Sequence, residues 1–342
     1  MNEVKTVKIY SLITALTPVK HMMGTHGNEA VLNRESVFHD GMVSQIPVLS
    51  GNALRHVLIR EAGAMHLIDA CGLHGKLNIE QANFLLYGGS LTKSSTANNL
   101  KKIADMQQLL PLYRLLGGDL QDQILGGSLL CGRGILACKE NEDVLARILP
   151  EGLLYSDAWL RNAEDFISSD QYTRGDVTSD LDVLTEEEME ATKEDSSRMI
   201  YSGQSLIPGT MFCQEIVMQG VSKLEVGALF TALSRWDADG GIIGGSKRIG
   251  HGRVKLEYYV HNAHDFFGES LDVPALMAEY DQYTRDNADN IAAWLQETFP
   301  STVREKKEAK AKRETERSKG KKANPVPDAF EALIELASEG ER

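Results

Sequence analysis

Residues 211–260 read MFCQEIVMQGVSKLEVGALFTALSRWDADGGIIGGSKRIGHGRVKLEYYV, and their patterning sets the fold class. Apolar residues alternate over Met211–Met218, just after the Pro208-Gly209 turn, which predicts a strand. Over Leu224–Trp236 the period lengthens, and Val226, Leu229, Phe230 and Leu233 fall on one helix face. The glycine run Gly240–Gly252 follows, and Arg253–Val260 closes the unit as another strand. The order is strand, helix, strand, with a glycine loop before the last strand.

Working outward, Val4–Leu16 (VKTVKIYSLITAL) carries β-branched and aromatic residues in rough alternation and predicts a first strand that Pro18 ends. A helix is expected after Ser50, which offers an N-cap to a stripe of Ala53, Leu54, Val57, Leu58 and Ala62. That register puts Asn52, Arg55, His56 and Arg60 toward the polar side or the first turns, where an anion is favoured. Joined to the later unit, these elements predict an α+β fold with a split βαβ, ferredoxin-like sheet that carries insertions. Lys20–Pro47 reads as a long irregular loop with binding residues. Ile79–Leu116 reads as helical, broken by the polar stretch at 88–99, and Ser128–Cys138 as a second strand pair interrupted by Gly132 and Gly134. The polar, acidic stretch Ser168–Ser197 reads as a protruding insertion. A core over 1–303 is expected, with insertions at roughly 64–125 and 157–200. Beyond it, 304–342 reads as a charged tail with a short terminal helix at Ala329–Ala337.

With 342 residues and 42% hydrophobic content, the chain supports a sizeable core. No stretch approaches the roughly 18 apolar residues of a membrane helix, and the N-terminus lacks the apolar block of a signal peptide, so a cytoplasmic protein is expected. Cys71, Cys131, Cys138 and Cys213 show no Cys-x-x-Cys spacing and read as reduced thiols, not as a metal site. A formal net charge of -13 argues against a nucleic-acid partner. The charge is segregated, however. Arg304–Lys322 holds ten Lys or Arg against four Glu, whereas Leu181–Asp195 holds seven acids and one Lys, so a local basic groove is compatible with the total.

Gly240 and Gly245 have the separation of a P-loop, but Ser246 precedes Lys247 where that loop needs Lys before Ser or Thr, and a strand follows in place of a helix. Nucleotide hydrolysis is thereby disfavoured. A lone Gly-Gly would be a tight turn. Six glycines interleaved with Lys247, Arg248, His251 and Arg253 instead suit a phosphate backbone that approaches the main chain while cations neutralise it. Neither a nucleophile with its base nor a carboxylate pair stands out. Ser90-Leu91-Thr92-Lys93 matches Ser-x-x-Lys only within a polar loop, and His21, His26, His261 and His264 lack metal-ligand partners. No cofactor is expected.

The segment Ile46-Pro47-Val48-Leu49-Ser50-Gly51-Asn52-Ala53-Leu54-Arg55 resembles the Pro-Gly-Ser-Ser-Leu-Lys/Arg-Gly segment of the RAMP superfamily of CRISPR systems. The order Ile207-Pro208-Gly209-Thr210-Met211-Phe212, helix, then Gly-Gly-x-x-x-x-Gly-x-Gly-Arg-Val resembles that superfamily's glycine-rich end. The match runs over residues 4–260 and is most similar to the type IV backbone subunit of class 1 effector complexes, with types I and III open. The resemblance implies a modified RNA-recognition-motif core with finger and thumb insertions. Copies of such a chain would stack as a helical filament along a CRISPR guide RNA, beside other effector subunits, and present the guide for pairing with a target nucleic acid. Ser50, Asn52 and Arg55 would then hold guide phosphates, helped by Lys20, His21, Lys247, Arg248 and His251. Tyr172 and Arg174 would be thumb contacts. With Arg34, Arg60, Gly244, Gly245, Ser246 and Arg253, these residues make up the candidate RNA-binding set. Related type III subunits cut target RNA with an Asp before this helix. Here the matching stretch is Val31-Leu32-Asn33-Arg34, so a subunit that is not an enzyme is expected, and metal-dependent cleavage through the later Asp40 is the alternative.

Overall fold

The computed structural model describes residues 4–26, 29–89, 100–120, 123–153, 160–174 and 199–300. It is a mixed α+β fold whose sheets are antiparallel but for one parallel pairing, Ser202-Gly203 beside Glu29-Ala30. Strand β1 (Lys5–Ala15) lies inside the main sheet, and its pleat splits its side chains between two faces. Ile9, Ser11, Ile13 and Ala15 are buried on one face, and Tyr10 and Leu12 on the other. Burial on both faces explains why the alternation in this segment is only rough.

The principal sheet runs β13-β1-β12-β9-β5-β4. Here β4 is Arg34–His39, β5 Met42–Leu49, β8 Leu129–Cys131, β9 Gly134–Leu136, β12 Met211–Val221 and β13 Val254–Val260. β1 pairs antiparallel with β12 and with β13. β8 and β9 both pair antiparallel with β12, at Met218–Ile216 and then at Cys213–Phe212. They are therefore successive pieces of one interrupted strand, where the sequence predicts a pair. Gly132 sits at the interruption and still donates its N–H to Glu215 O, 2.8 Å.

Helix α1 (Gly51–Leu54) continues without a break as a π-helical segment, Arg55–Glu61, and then as α2 (Ala62–Ala70). The expected insertion supplies α3 (Ile79–Tyr87), α4 (Leu100–Leu109) and α5 (Pro111–Leu116), with a ribbon of β6 (Gly118–Leu120) and β7 (Gln123–Leu125). Residues 90–99, most of the polar break, lie outside the described residues. On the second face of the sheet, α6 (Glu142–Ile148) sets Leu145 against Leu12, Ile135, Ala137 and Cys213. Helix α7 (Lys223–Ala238) begins at a capping box of Ser222 and Glu225 and packs on the π segment, α2 and α5. Phe230 of α7 meets Tyr258 of β13 at 5.3 Å between ring centroids. α8 (Val273–Asp286) packs in turn on α7, and neither it nor α9 (Ala288–Thr298) was expected from the sequence. The chain forms two compact units, one ending at Trp294 and the other beginning at Leu295.

The expected irregular loop at Lys20–Pro47 is instead strand. β2 (Met22–His26) and β3 (Glu29–Leu32) form one hairpin, and β4 and β5 form another. The second turns at Asp40 (φ 49°) and Gly41 (φ 78°), the pair of positive angles that a two-residue Asp-Gly hairpin demands. β3 joins β10 (Ile167–Arg174) and β11 (Met199–Leu206) in a second sheet, β10-β11-β3-β2. The expected protruding insertion therefore starts as sheet, while its residues 175–197 lie outside the described residues. The tail at 304–342 lies outside them too.

Candidate nucleic-acid interface

Main-chain hydrogen bonds divide the glycine run in two. Gly252 donates to Pro18 O at 2.8 Å, Ile243 to Gly252 O at 2.8 Å, and Gly245 to Lys20 O at 2.7 Å, so the run folds back on the segment that leaves β1. Gly244 has φ 74°, and a Cβ there would lie 2.4 Å from Lys20 O. At Gly252, with φ 87°, a Cβ would lie 2.0 Å from Ile243 O. Both positions require glycine so that protein backbone can approach protein backbone. Ser246, itself left-handed at φ 60°, opens a short 3-10 turn over Lys247–Ile249 that ends at Gly250. The stretch Gly245–Gly250 is exposed and presents Lys247 and Arg248 to solvent.

The start of the long helix lies beside this turn. The Ser50 side chain accepts from Ala53 N at 3.1 Å, as an N-cap should. Ser50 N donates to His21 Nε2, 3.1 Å. A cavity of about 120 Å³ between the two elements is lined by His21, Ala53, Val57, Ile243, Gly244 and Lys247. This is well below the roughly 300–1,000 Å³ of small-molecule sites, so the space reads as a joint between two elements and not as a nucleotide pocket. Asn52 is exposed, and Arg55 is half-buried with its Nε enclosed and lacking a hydrogen-bond partner among the described residues; neither lines this cavity. Among the described residues, Arg55, Lys247, Arg248 and Arg253 make no ion pair with a carboxylate. Arg253 is exposed, and its N–H donates to Thr17 Oγ1 at 2.9 Å. His251 is half-buried, with Nδ1 enclosed and lacking a hydrogen-bond partner among the described residues.

Four members of the expected set take other roles. Arg60 is 5% exposed, donates from Nη2 to Gly117 O at 2.8 Å and lies over the Tyr113 ring, so it cannot reach a phosphate at the surface. Burial pulls its pKa down. Lys20 is 6% exposed, and its Nζ stands 3.5 Å from Asp170 of β10, which ties the second sheet to the segment after β1. Arg34 pairs with Glu164 at 2.5 Å and donates to Gln45 O at 3.3 Å. His21 uses Nε2 as an acceptor, and burial lowers its pKa, so it shapes the joint and brings no charge to it. Ser50 and His21 also occupy N–H groups on which the expected anion site at the helix start would draw. Tyr172 and Arg174 lie on β10, opposite Tyr201 and Met199. The sequence reading missed Thr17 and Asp170, whose partners lie far along the chain and leave no local pattern.

Asp40 occupies the β4–β5 turn, with Oδ2 3.2 Å from His39 Nε2. By strand rise it lies about 20 Å along β4 from Arg34. Among the described residues no group of three or more His, Cys, Asp or Glu is placed to hold a metal ion. The cysteines are free, and burial pushes the thiols of Cys131, Cys138 and Cys213 up to about 12 and that of Cys71 to about 11. Among the described residues no helix is long and apolar enough to cross a membrane.

No protein-family model matches the chain. No curated protein matches it either. A solved structure described as a Type IV-B CRISPR complex aligns with a TM-score of 0.46 at 18% identity, covering 74% of this chain and 90% of that one.

Proposed function

We propose that the chain is a guide-RNA-binding backbone subunit of a class 1 CRISPR effector complex, of type IV character, which holds its RNA without cutting it. Copies would polymerise along one guide in the cytoplasm, and the guide's exposed bases would read the target by pairing. The resemblance carried by Ile46–Arg55 and by the glycine-rich end supports this reading. So does the topology. Taking β8 and β9 as one strand, the core order is β1, helix, β8/β9, β12, α7, β13, with spatial order β13-β1-β12-β9. We read that as a ferredoxin-like core to which β4, β5 and the second sheet are added.

The observation that carries the proposal is the meeting of two elements at one joint. The exposed turn puts Lys247 at a cavity that Ala53 and Val57 of the capped helix also line, and among the described residues Lys247, Arg248 and Arg55 make no ion pair with a carboxylate. Exposed cations without carboxylate partners suit a phosphate backbone of any sequence.

The test is to purify the full chain and sequence any nucleic acid that comes with it. RNA of uniform length carrying a repeat-derived end is expected. RNA-free protein that ignores added guide would overturn the proposal. Incubating the assembled complex with labelled complementary RNA and Mg2+ separates the cleaving alternative. Regular cuts abolished by Asp40→Ala would establish that alternative, and intact RNA supports a holding subunit.

A further inference from the structure

We propose that His56 and Tyr87 form a stacking platform for an unpaired nucleobase beside the basic joint, an inference that rests on the RNA-binding reading above. The two rings stack at 5.5 Å between centroids with planes 23° apart. Tyr87 is the last residue of α3 and is 68% exposed, whereas Phe84 and Leu85 of the same helix are fully buried. His56 is half-buried. The pairs His66–Tyr280, Phe84–Tyr113, Phe230–Tyr258 and Phe266–Phe267 each include a buried ring and belong to packing. His56–Tyr87 includes none. His56 covers one face of the phenol, and the exposure of Tyr87 leaves the other to solvent.

Position links this platform to the joint. His56 follows Arg55 directly and stands about one helical turn past Asn52, roughly 9 Å along the axis from Ser50 at 1.5 Å per residue. A strand whose phosphates meet Arg55 passes the next residue, His56, which carries the platform. Single-stranded RNA is commonly held by bases splayed onto His and Tyr rings. Every base offers a π face, so such a contact tolerates any sequence, as a holder of many different guides needs. A hydrophobic anchor on this surface would instead leave an aliphatic side chain equally useful.

The experiment uses the full chain, an unstructured single-stranded RNA containing a fluorescent adenine analogue, and the variants Tyr87→Leu, Tyr87→Phe and Lys247→Ala/Arg248→Ala. Tyr87→Leu is expected to weaken binding about tenfold and to abolish the quenching of the analogue, while Tyr87→Phe stays within about twofold of the unaltered chain. The slope of log affinity against log salt should not change in either Tyr87 variant, because stacking releases no counterions. If Tyr87→Leu binds with normal affinity and quenching while the Lys247/Arg248 variant binds weakly, the platform is overturned and RNA binding at the joint stands. A reduced salt slope in Tyr87→Leu also overturns it, by showing that the ring acts through phosphate contacts. An unaltered chain that binds no RNA overturns both readings.

Discussion

Arg60 and Lys247 carry the same charge and belong to the same expected set, yet the fold gives them opposite surroundings. Around Arg60 the inserted helices close over the guanidinium, with Gly88 backed against it and Gly117 O accepting its hydrogen bond. Around Lys247 the chain makes an exposed turn anchored at Gly245 to Lys20 O, and no carboxylate among the described residues pairs with the ammonium. One cation holds an insertion onto the core, and the other stands exposed without a carboxylate partner among the described residues. A basic residue therefore reveals its role through what the distant chain places on it, and the contrast can be tested from either side.

The largest expected effect is at the buried end. Arg60→Ala removes the hydrogen bond to Gly117 O and the packing on Tyr113, and should destabilise the chain by about 3 kcal/mol in a thermal or denaturant melt. RNA affinity per folded molecule should stay near that of the unaltered chain. An Arg60→Ala protein that melts normally but binds RNA poorly would erase the contrast.

Gly252→Ala comes next, at about 2 kcal/mol by the same melt, because it forces a side chain into a left-handed position against Ile243 O. It tests whether the packed half of the glycine run is structural. If the variant is as stable as the parent and loses only RNA, glycine serves the ligand and not the fold.

How much of this was legible in the sequence follows the same division. The strand, helix and strand of 211–260, β1 and the capped helix at Ser50 were readable because their periodicity is local. Lys20–Pro47 was misread through its Gly, His and Asn content, although Asp40-Gly41 between Val37-Phe38 and Met42-Val43 is a hairpin signal that composition obscured. The burial of Arg60 could not be read from its helix, since the groups that cover it come from Gly88, Tyr113 and Gly117. Nor could the Lys20–Asp170 and Arg34–Glu164 pairs, whose members are far apart in sequence. The joint itself was half legible: the pairing of the glycine run with the Ser50 helix was expected from the sequence, and the acceptor role of His21 between them was not.

On the exposed side, Lys247→Ala/Arg248→Ala should leave the melt unchanged and weaken RNA binding roughly tenfold near physiological salt, with the salt slope falling by about one for each phosphate that is no longer neutralised. Equal weakening for all RNA sequences is expected, since phosphate contacts carry no base information. A salt slope identical to that of the unaltered chain would remove the turn from the interface and leave Lys247 no different from any other surface lysine.

The smallest effect concerns the hinge between the two motifs. Burial depresses the pKa of His21 below the ordinary histidine value, and its neutral Nε2 accepts the Ser50 N–H. The unfolded chain therefore takes up a proton near pH 6.5 that the folded chain resists, so stability is intact above that pH and falls as the pH drops toward the folded pKa. His66 is depressed in the same sense, chiefly by burial, and contributes a parallel loss. Subtracting the pH dependence of His21→Gln from that of the unaltered chain isolates the part due to the joint, which should be small because His21 is only partly enclosed. RNA binding has the opposite sign if phosphate reaches His21 directly, for then acid would strengthen it. Weakening below pH 6.5 supports a neutral histidine that holds the helix start in place for Lys247 and Arg55, and strengthening there would move His21 from the joint to the RNA.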